Sequence, residues 1–319
     1  MTAKAQFPAE QSASGEFVRQ QDAFRNWVRG HGTSEFPAQA GRYHLYVSLA
    51  CPWAHRTIIV RALKRLERVV GMTVVDPIRD ARGWRFPAPD PLNGWAFLSE
   101  AYFATDPAFT GRVTVPVLWD AKTKRIVSNS DDDIMRMFET EFGSFGDAGL
   151  DLYPEPQRAA IDALNERLYE TVNDGVYRAG FATGQRAYER AAYRLFEVLD
   201  EMEERLATSR YLFGSRPLET DWRFFVTLVR FDAVYYGHFK CNLRRIADYP
   251  NLYGYLRDLY QIDGIAETVN FDHIKRHYYY THDDINPTRI VPIGPMQDLN
   301  GPHGRAAVSQ GDLGMNVLP

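Results

Sequence analysis

The sequence predicts an α/β domain followed by an all-α domain, and three observations carry that prediction. In the first half, strand-like and helix-like segments follow one another as β-α-β, a connection, then β-β-α. A glycine-rich break runs from Gly143 to Gly149. Beyond it, apolar residues recur at helical spacing and strand patterns disappear.

Each element has its own signal. Residues 1–40 are polar, with one expected short helix at about Phe17 to Val28, and read as an N-terminal extension. Tyr43 to Val47 alternates as a short strand does. From Trp53 to Glu67 the positions Ile58, Ile59, Ala62, Leu63 and Leu66 trace a helical stripe. Met72 to Val75 is a second strand, ended by Asp76-Pro77. The stretch 79–111, rich in Pro, Gly and aromatics, reads as a long excursion. Strands return at Val113 to Trp119 and Arg125 to Ser128, with Asp120 to Lys124 as the turn. Asn129 and Ser130 can cap a helix carrying Ile134, Met137 and Phe138. This is the thioredoxin order of elements, placed at 41–145. Helical periods then run through Ile161, Leu164, Leu168 and Val172, and through Tyr188 to Leu206. Trp222 to Val229 is apolar enough for a central buried helix. Two more helices are expected at 251–260 and 265–279, so 150–285 reads as all-α. The tail, 286–319, holds five of the chain's 18 prolines and is expected to be irregular.

Composition narrows the function. The chain has 319 residues, 45% hydrophobic and 24% charged, which is globular in character. Its 37 Lys and Arg against 41 Asp and Glu give a formal charge of −4, which argues against a nucleic-acid binder driven by net charge. No apolar stretch approaches the roughly 18–20 residues needed to cross a bilayer, and Met1 to Ser12 lacks the apolar core of a secretory signal. The two cysteines, Cys51 and Cys241, exclude a disulfide framework and point to a reducing, cytoplasmic compartment.

Cys51-Pro52-Trp53-Ala54 lies between the first strand and the first helix. A cysteine there meets free backbone N–H groups and the positive end of the helix dipole, which stabilise a thiolate. Pro52 suits a first-turn position, where its missing N–H costs nothing. Ala54 stands where a resolving cysteine would be, so an oxidised Cys51 needs an external thiol. Val115-Pro116 interrupts a strand, which is tolerated at an edge, a bulge or as a cis-proline turn. In a thioredoxin-like unit such a loop faces the reactive cysteine, and the residue before proline offers backbone groups to a peptide-like thiol. Ser130-Asp131-Asp132-Asp133 at a helix start is either a dipole-matched, solvated run or a hold for the charged amino-acid end of a peptide cofactor. His238 with Cys241, and His273 with His277, have spacings seen in zinc sites. Scattered on aromatic-rich helices, they read better as packing residues, and no metal is expected. Tyr177 and Tyr278 to Tyr280 are individually unremarkable core aromatics.

Longer strings carry a resemblance. They are Cys51-Pro52-Trp53-Ala54-His55-Arg56, Gly83-Trp84, Gly111 to Asp120, Asn173 to Ala182, Asn270 to Lys275 and Ile285-Asn286-Pro287-Thr288. Together, over about residues 40–300, the chain resembles the glutathionyl-hydroquinone reductases, the Xi class of glutathione transferases. The resemblance implies the glutathione transferase fold and a homodimer built with the helical domain. It implies Cys51 as nucleophile, Trp84 packing over glutathione, Val115 offering its backbone to the cysteinyl part, and Tyr177 and Tyr278 hydrogen-bonding the quinol oxygens. The family usually has Asn-Glu-Ser where this chain reads Asn129-Ser130-Asp131, so hydroxyl and carboxylate exchange order. Glutathione is then expected to be held by helix N–H groups with Ser130 and Asp131. The usual threonine at the cap before the buried helix is replaced by Leu218, with consequences for stability alone.

The reaction implied is glutathione-dependent reduction of S-glutathionyl-hydroquinones, through a Cys51–glutathione mixed disulfide resolved by a second glutathione. One rival is an Omega-type thioltransferase or dehydroascorbate reductase, which shares Cys51 and differs in substrate rates. The other is a non-catalytic binding module, for which an ordinary thiol pKa near roughly 8.5 would speak.

Overall fold

The computed structural model describes residues 8–308. The start of the N-terminal extension (1–7) and the end of the tail (309–319) lie outside the described residues. The chain divides into two compact units. Among the described residues one comprises 19–151 and 267–291, the other 8–18, 152–266 and 292–308.

The first unit is built on a four-stranded sheet of β1 (Tyr43–Val47), β2 (Gly71–Val74), β3 (Val117–Asp120) and β4 (Arg125–Ser128), in the order β2-β1-β3-β4. β1 runs parallel to β2 and antiparallel to β3, and β3 antiparallel to β4. The parallel pair needs a crossover, supplied by α1 (Pro52–Leu63). α3 (Asp131–Thr140) packs beside α1 on the sheet through Ile134, Met137 and Phe138. The central strands carry Leu45, Val47, Val117, Leu118 and Trp119 into a core sealed from solvent. The third strand starts at Val117, not at Val113. Residues 112–115 are taken up by other partners, described below. The excursion 79–111 contains a helix, α2 (Ser99–Thr105), whose two turns are too short to show a period.

The N-terminal extension corrects the expected helix at Phe17 to Val28, which is extended. Its backbone groups bond outward rather than along the chain: Phe24 and Asn129 exchange bonds, with Phe24 N–H donating to Asn129 Oδ1 (2.8 Å) and Asn129 N–H to the Phe24 carbonyl (3.1 Å). Asn26 N–H bonds the Val127 carbonyl, and Gln20 is joined twice to the backbone of Arg112. Residues 19–30 thus lie along β4, which would otherwise expose a strand edge.

The second unit holds α4 (Arg158–Leu168), α5 (Gly175–Gly180), α6 (Gln185–Thr208), α7 (Glu219–Arg230) and α8 (Pro250–Tyr260). Every residue of α7 is buried, as its apolar run requires. Leu218 at its N-cap has no acceptor, so only half of a capping box forms: the Asp221 carboxylate takes the Leu218 N–H at 2.7 Å. Two π-helical turns, Tyr169–Asn173 after α4 and Phe231–Tyr235 after α7, are not visible in the apolar pattern.

The expected helix at 265–279 is broken. A 3₁₀ turn at Ala266–Thr268 precedes α9 (Phe271–Thr281), which Asn270 caps by accepting the His273 N–H at 2.9 Å. The segment 267–291 gathers with the α/β unit rather than with the other helices. Two buried contacts account for this. His55 Nε2 meets Thr268 Oγ1 at 2.7 Å, and His277 Nδ1 meets the Pro77 carbonyl at 2.7 Å.

Candidate active site

Cys51 is the N-cap of α1, with extended backbone, and Pro52 opens the helix. Its carbonyl accepts the His55 N–H (3.0 Å) while its own N–H bonds the Ser48 carbonyl (3.1 Å). The side chain is half-buried, at the positive end of the helix. The Sγ lies 3.5 Å from the Val115 carbonyl. The Val115–Pro116 peptide is cis, as the thioredoxin-like order leads one to expect. Ala54, at the position of a resolving cysteine, is fully buried.

The Val115 loop is held by groups on three other segments. Tyr102 OH donates to the Thr114 carbonyl (2.9 Å) and accepts from Thr114 N–H (3.1 Å). Asn129 Nδ2 donates to Thr114 Oγ1 (3.1 Å). Gln20 donates to the Arg112 carbonyl (2.8 Å) and accepts from Arg112 N–H (2.9 Å). An amide bonded at both ends fixes the strand that feeds the cis-proline turn, much as a neighbouring strand would.

At α3, Ser130 is the N-cap and accepts from Asp133 N–H at 3.4 Å. Asp131 is engaged by Arg56, whose Nη1 lies 2.8 Å from Oδ2 and 3.4 Å from Asp132 Oδ1. Arg56 is fully buried, and its guanidinium also lies 4.7 Å from the Trp53 ring centroid. Arg19, from the extension, lies 4.8 Å from the same centroid. Asp22 joins this group through the Ser130 hydroxyl. Its carboxyl is raised to about 6, first by desolvation within the surrounding protein and next by Asp132. Asp22 nevertheless keeps much of its surface open to solvent.

Trp84 is 6% exposed. Its carbonyl accepts the Leu98 N–H at 2.9 Å. Its ring stacks on His277, with centroids 4.9 Å apart and planes at 22°. Tyr278, next in α9, is fully buried, edge-on to His277 and His282. Tyr177 belongs to the other unit. There it follows the first π turn and meets Phe181, Tyr235 and Phe239. Asn173, in that turn, fixes the approach by donating to the Arg223 carbonyl (3.0 Å) and Thr227 Oγ1 (2.7 Å).

The structure therefore brings Cys51 to Val115 and places Trp84 and Tyr278 against one histidine, while Ser130 and Asp131, already neighbours in the chain, open α3. Sequence reasoning did not single out Arg56, Gln20, Asp22 or His277 for these contacts. Only Arg56 stood inside a quoted string, and nothing local shows its partner 75 positions away.

The histidine and cysteine pairs with zinc-like spacing fall in different units. Cys241 is fully buried and its thiol is pushed up by desolvation, while burial pushes His238 down to about 3. Among the described residues no group of three or more His, Cys, Asp or Glu is arranged to hold a metal ion. Likewise, no helix there is long and apolar enough to cross a membrane.

A thioredoxin-like sheet with a half-buried cysteine facing a cis-proline loop, in a chain with an additional helical unit, is the make-up of a glutathione transferase. Two family models agree: glutathione S-transferase N-terminal domain over residues 50–141, and C-terminal domain over 185–258. Glutathionyl-hydroquinone reductase YqjG of Escherichia coli is 52% identical over 306 residues, covering 92% of this chain and 93% of that one. Glutathionyl-hydroquinone reductase PcpF of Sphingobium chlorophenolicum is 48% identical, covering 91% and 93%. The glutathione-bound structure of the E. coli protein superposes with a TM-score of 0.86, covering 89% of this chain and 96% of that one at 52% identity. A Xi-class transferase from Natrialba magadii gives 0.87 at 50% identity, covering 89% and 88%. The chain belongs to the glutathione transferases, and within them to the Xi-class glutathionyl-hydroquinone reductase family.

Proposed function

We infer that this protein is an enzyme that reduces S-glutathionyl-hydroquinones to hydroquinones at the expense of glutathione. The family supports the reaction class. The observation that carries the assignment of the nucleophile is the Cys51 sulfur at a helix N-terminus, 3.5 Å from the Val115 carbonyl.

In this reading the Cys51 thiolate attacks the glutathionyl sulfur of the substrate. A Cys51–glutathione disulfide forms as the carbon–sulfur bond breaks. The electron pair of that bond passes to the ring, whose carbon ends with a proton in place of sulfur. A second glutathione thiolate then attacks the mixed disulfide, releasing oxidised glutathione and restoring Cys51. No second cysteine is needed, in keeping with Ala54 and with the burial of Cys241. The helix N-terminus lowers the cost of the thiolate. Trp84, the Val115 backbone, Ser130 and Asp131 form the glutathione site on the 41–145 domain. Because Asp131 already pairs with Arg56, it offers its remaining lone pairs to the ligand's ammonium group. The family resemblance assigns the quinol oxygens to Tyr177 and Tyr278, and a tyrosine hydroxyl can stabilise the keto tautomer from which sulfur departs. A homodimer in a reducing cytoplasm, without a metal, completes the reading.

The test is release of hydroquinone from S-glutathionyl-hydroquinone with excess glutathione, followed by chromatography. Wild type should release it, and Cys51→Ala should not while remaining folded; a fully active variant would sink the scheme. A second reading has its own support. A Schizosaccharomyces pombe relative, 44% identical with 90% of this chain and 96% of its own length covered, is named glutathione S-transferase omega-like 2. Thioltransferase turnover without hydroquinone release would favour it.

A further inference from the structure

We infer that His277 is a positioning residue for Trp84, holding the indole in place before glutathione arrives. This rests on the reading of Trp84 as the side chain that packs over glutathione.

Trp84 closes a loop that begins at Asp76. The neck is tied by Asp76 N–H to the Arg85 carbonyl (2.9 Å) and by the Asp76–Arg85 ion pair (2.8 Å). At the tip, Gly83 takes φ +95°, a conformation open to glycine, and its N–H bonds the Asp80 carbonyl at 2.9 Å. These bonds fix the main chain of the loop. They leave the two side-chain torsions of Trp84 undetermined.

Two side chains meet the indole: the Arg79 guanidinium lies 6.0 Å from its centroid, and His277 stacks on it from α9. Its Nδ1–H donates to the Pro77 carbonyl at 2.7 Å, since a carbonyl can only accept. That bond fixes the tautomer and the ring plane. The ring is 8% exposed, and Tyr278 and His282 hold it edge-on at 81° and 77°. The indole then lies nearly parallel to the imidazole at 4.9 Å, a favoured aromatic arrangement. One histidine thus grips the loop at both arms, by a hydrogen bond at Pro77 and a stack at Trp84. Its action is on the ligand site and not on the reacting sulfur. Removing it should release the indole rotamer, which glutathione must then order on binding.

The experiment is calorimetric titration of full-length protein with S-methylglutathione, which cannot form a disulfide. Wild type is compared with His277→Ala, His277→Phe, His277→Asn, Trp84→Ala and the His277→Ala/Trp84→Ala pair. His277→Ala should weaken binding about 5-fold, the loss expected from one aromatic stack. His277→Phe keeps a ring and should recover most of the affinity. His277→Asn keeps a donor without a ring and should resemble alanine. The double variant should bind no more weakly than Trp84→Ala, since a residue acting through another adds nothing once that other is gone. In turnover, KM for glutathione should rise in His277→Ala while kcat stays within about twofold. Wild-type affinity in His277→Ala, or losses that multiply in the double variant, would overturn the inference with the glutathione reading intact. Wild-type affinity in Trp84→Ala would overturn the reading of Trp84 and the inference with it. Should alanine fail to fold, the contrast between Phe and Asn carries the same decision.

Discussion

Arg56 shows how much of a site is set by residues that touch no reacting atom. Its guanidinium has no access to water, and the two carboxylates it meets stand at the first turn of α3. A buried charge left without its partner is costly, whereas removing both partners together is tolerated. Arg56→Met should therefore lower stability by about 3 kcal/mol in denaturant unfolding. Arg56→Met/Asp131→Asn should regain at least half of the loss. Equal losses in the single and double variants would show that Arg56 acts through its stack on Trp53 instead. At this scale the sequence was partly legible. A cysteine followed by proline at a strand–helix junction, with Val115-Pro116 downstream, sufficed to anticipate Cys51 facing the loop before Pro116. Contacts between charged residues far apart in the chain, such as Arg56 with Asp131, have no local signature.

Elements with a strong period were legible and irregular ones were not. The four strands, α1, α3, α6, α7 and α8 fall close to where alternation or helical spacing places them. α2 is too short to show a period, and the π turns insert residues without altering composition. The structure caps α9 with Asn270, a favoured N-cap residue, whereas the apolar pattern runs through that position. The extension 19–30 misled for a different reason: Phe17, Phe24 and Val28 have a plausible helical spacing, yet its backbone bonds go to Arg112, Asn129 and Val127. Tertiary partners overrode local propensity. Gln20 should then matter more than its polar, partly exposed character implies. Gln20→Ala removes two bonds to the Arg112 backbone and should cost about 1–2 kcal/mol. The neighbouring Gln21→Ala should stay within about 0.5 kcal/mol. Limited proteolysis should cut the Gln20→Ala protein faster within 19–30, and equal cutting of both variants would show that the strap does not depend on this amide.

Across the whole molecule, stability against pH is a contest between buried groups of opposite behaviour, and the helical unit holds both. Burial raises Asp221 to about 6, against the bonds it accepts from Leu212 N–H, Leu218 N–H and Tyr255 OH. Unfolded, it would ionise near roughly 3.9. Between these values the native state keeps a proton that the unfolded state has lost, so stability from this group falls as pH rises from about 4 to 6. His238 works the other way. Burial depresses it to about 3, below an unfolded value near roughly 6.5. The unfolded state then binds the extra proton, and stability is lost as pH falls from about 6.5 toward 3. From about pH 4 to 6 the two slopes cancel, each near 1.4 kcal/mol per pH unit. Below about pH 4 only the histidine continues, joined by two carboxyls held below the usual carboxylate range against their desolvation: Asp120 by Arg42, and Asp76 by the Ile78 N–H and then Arg85. Acid unfolding should therefore steepen below about pH 4. His238→Gln leaves Asp221 unopposed, so relative to wild type it should gain about 1.4 kcal/mol for each unit by which pH falls from 6 to 4. Urea unfolding of both proteins at pH 4, 5, 6 and 7 reads this directly. A difference between them that stays constant across that range would mean that His238 is protonated in the native state, and that the acid limb belongs to the carboxylates alone.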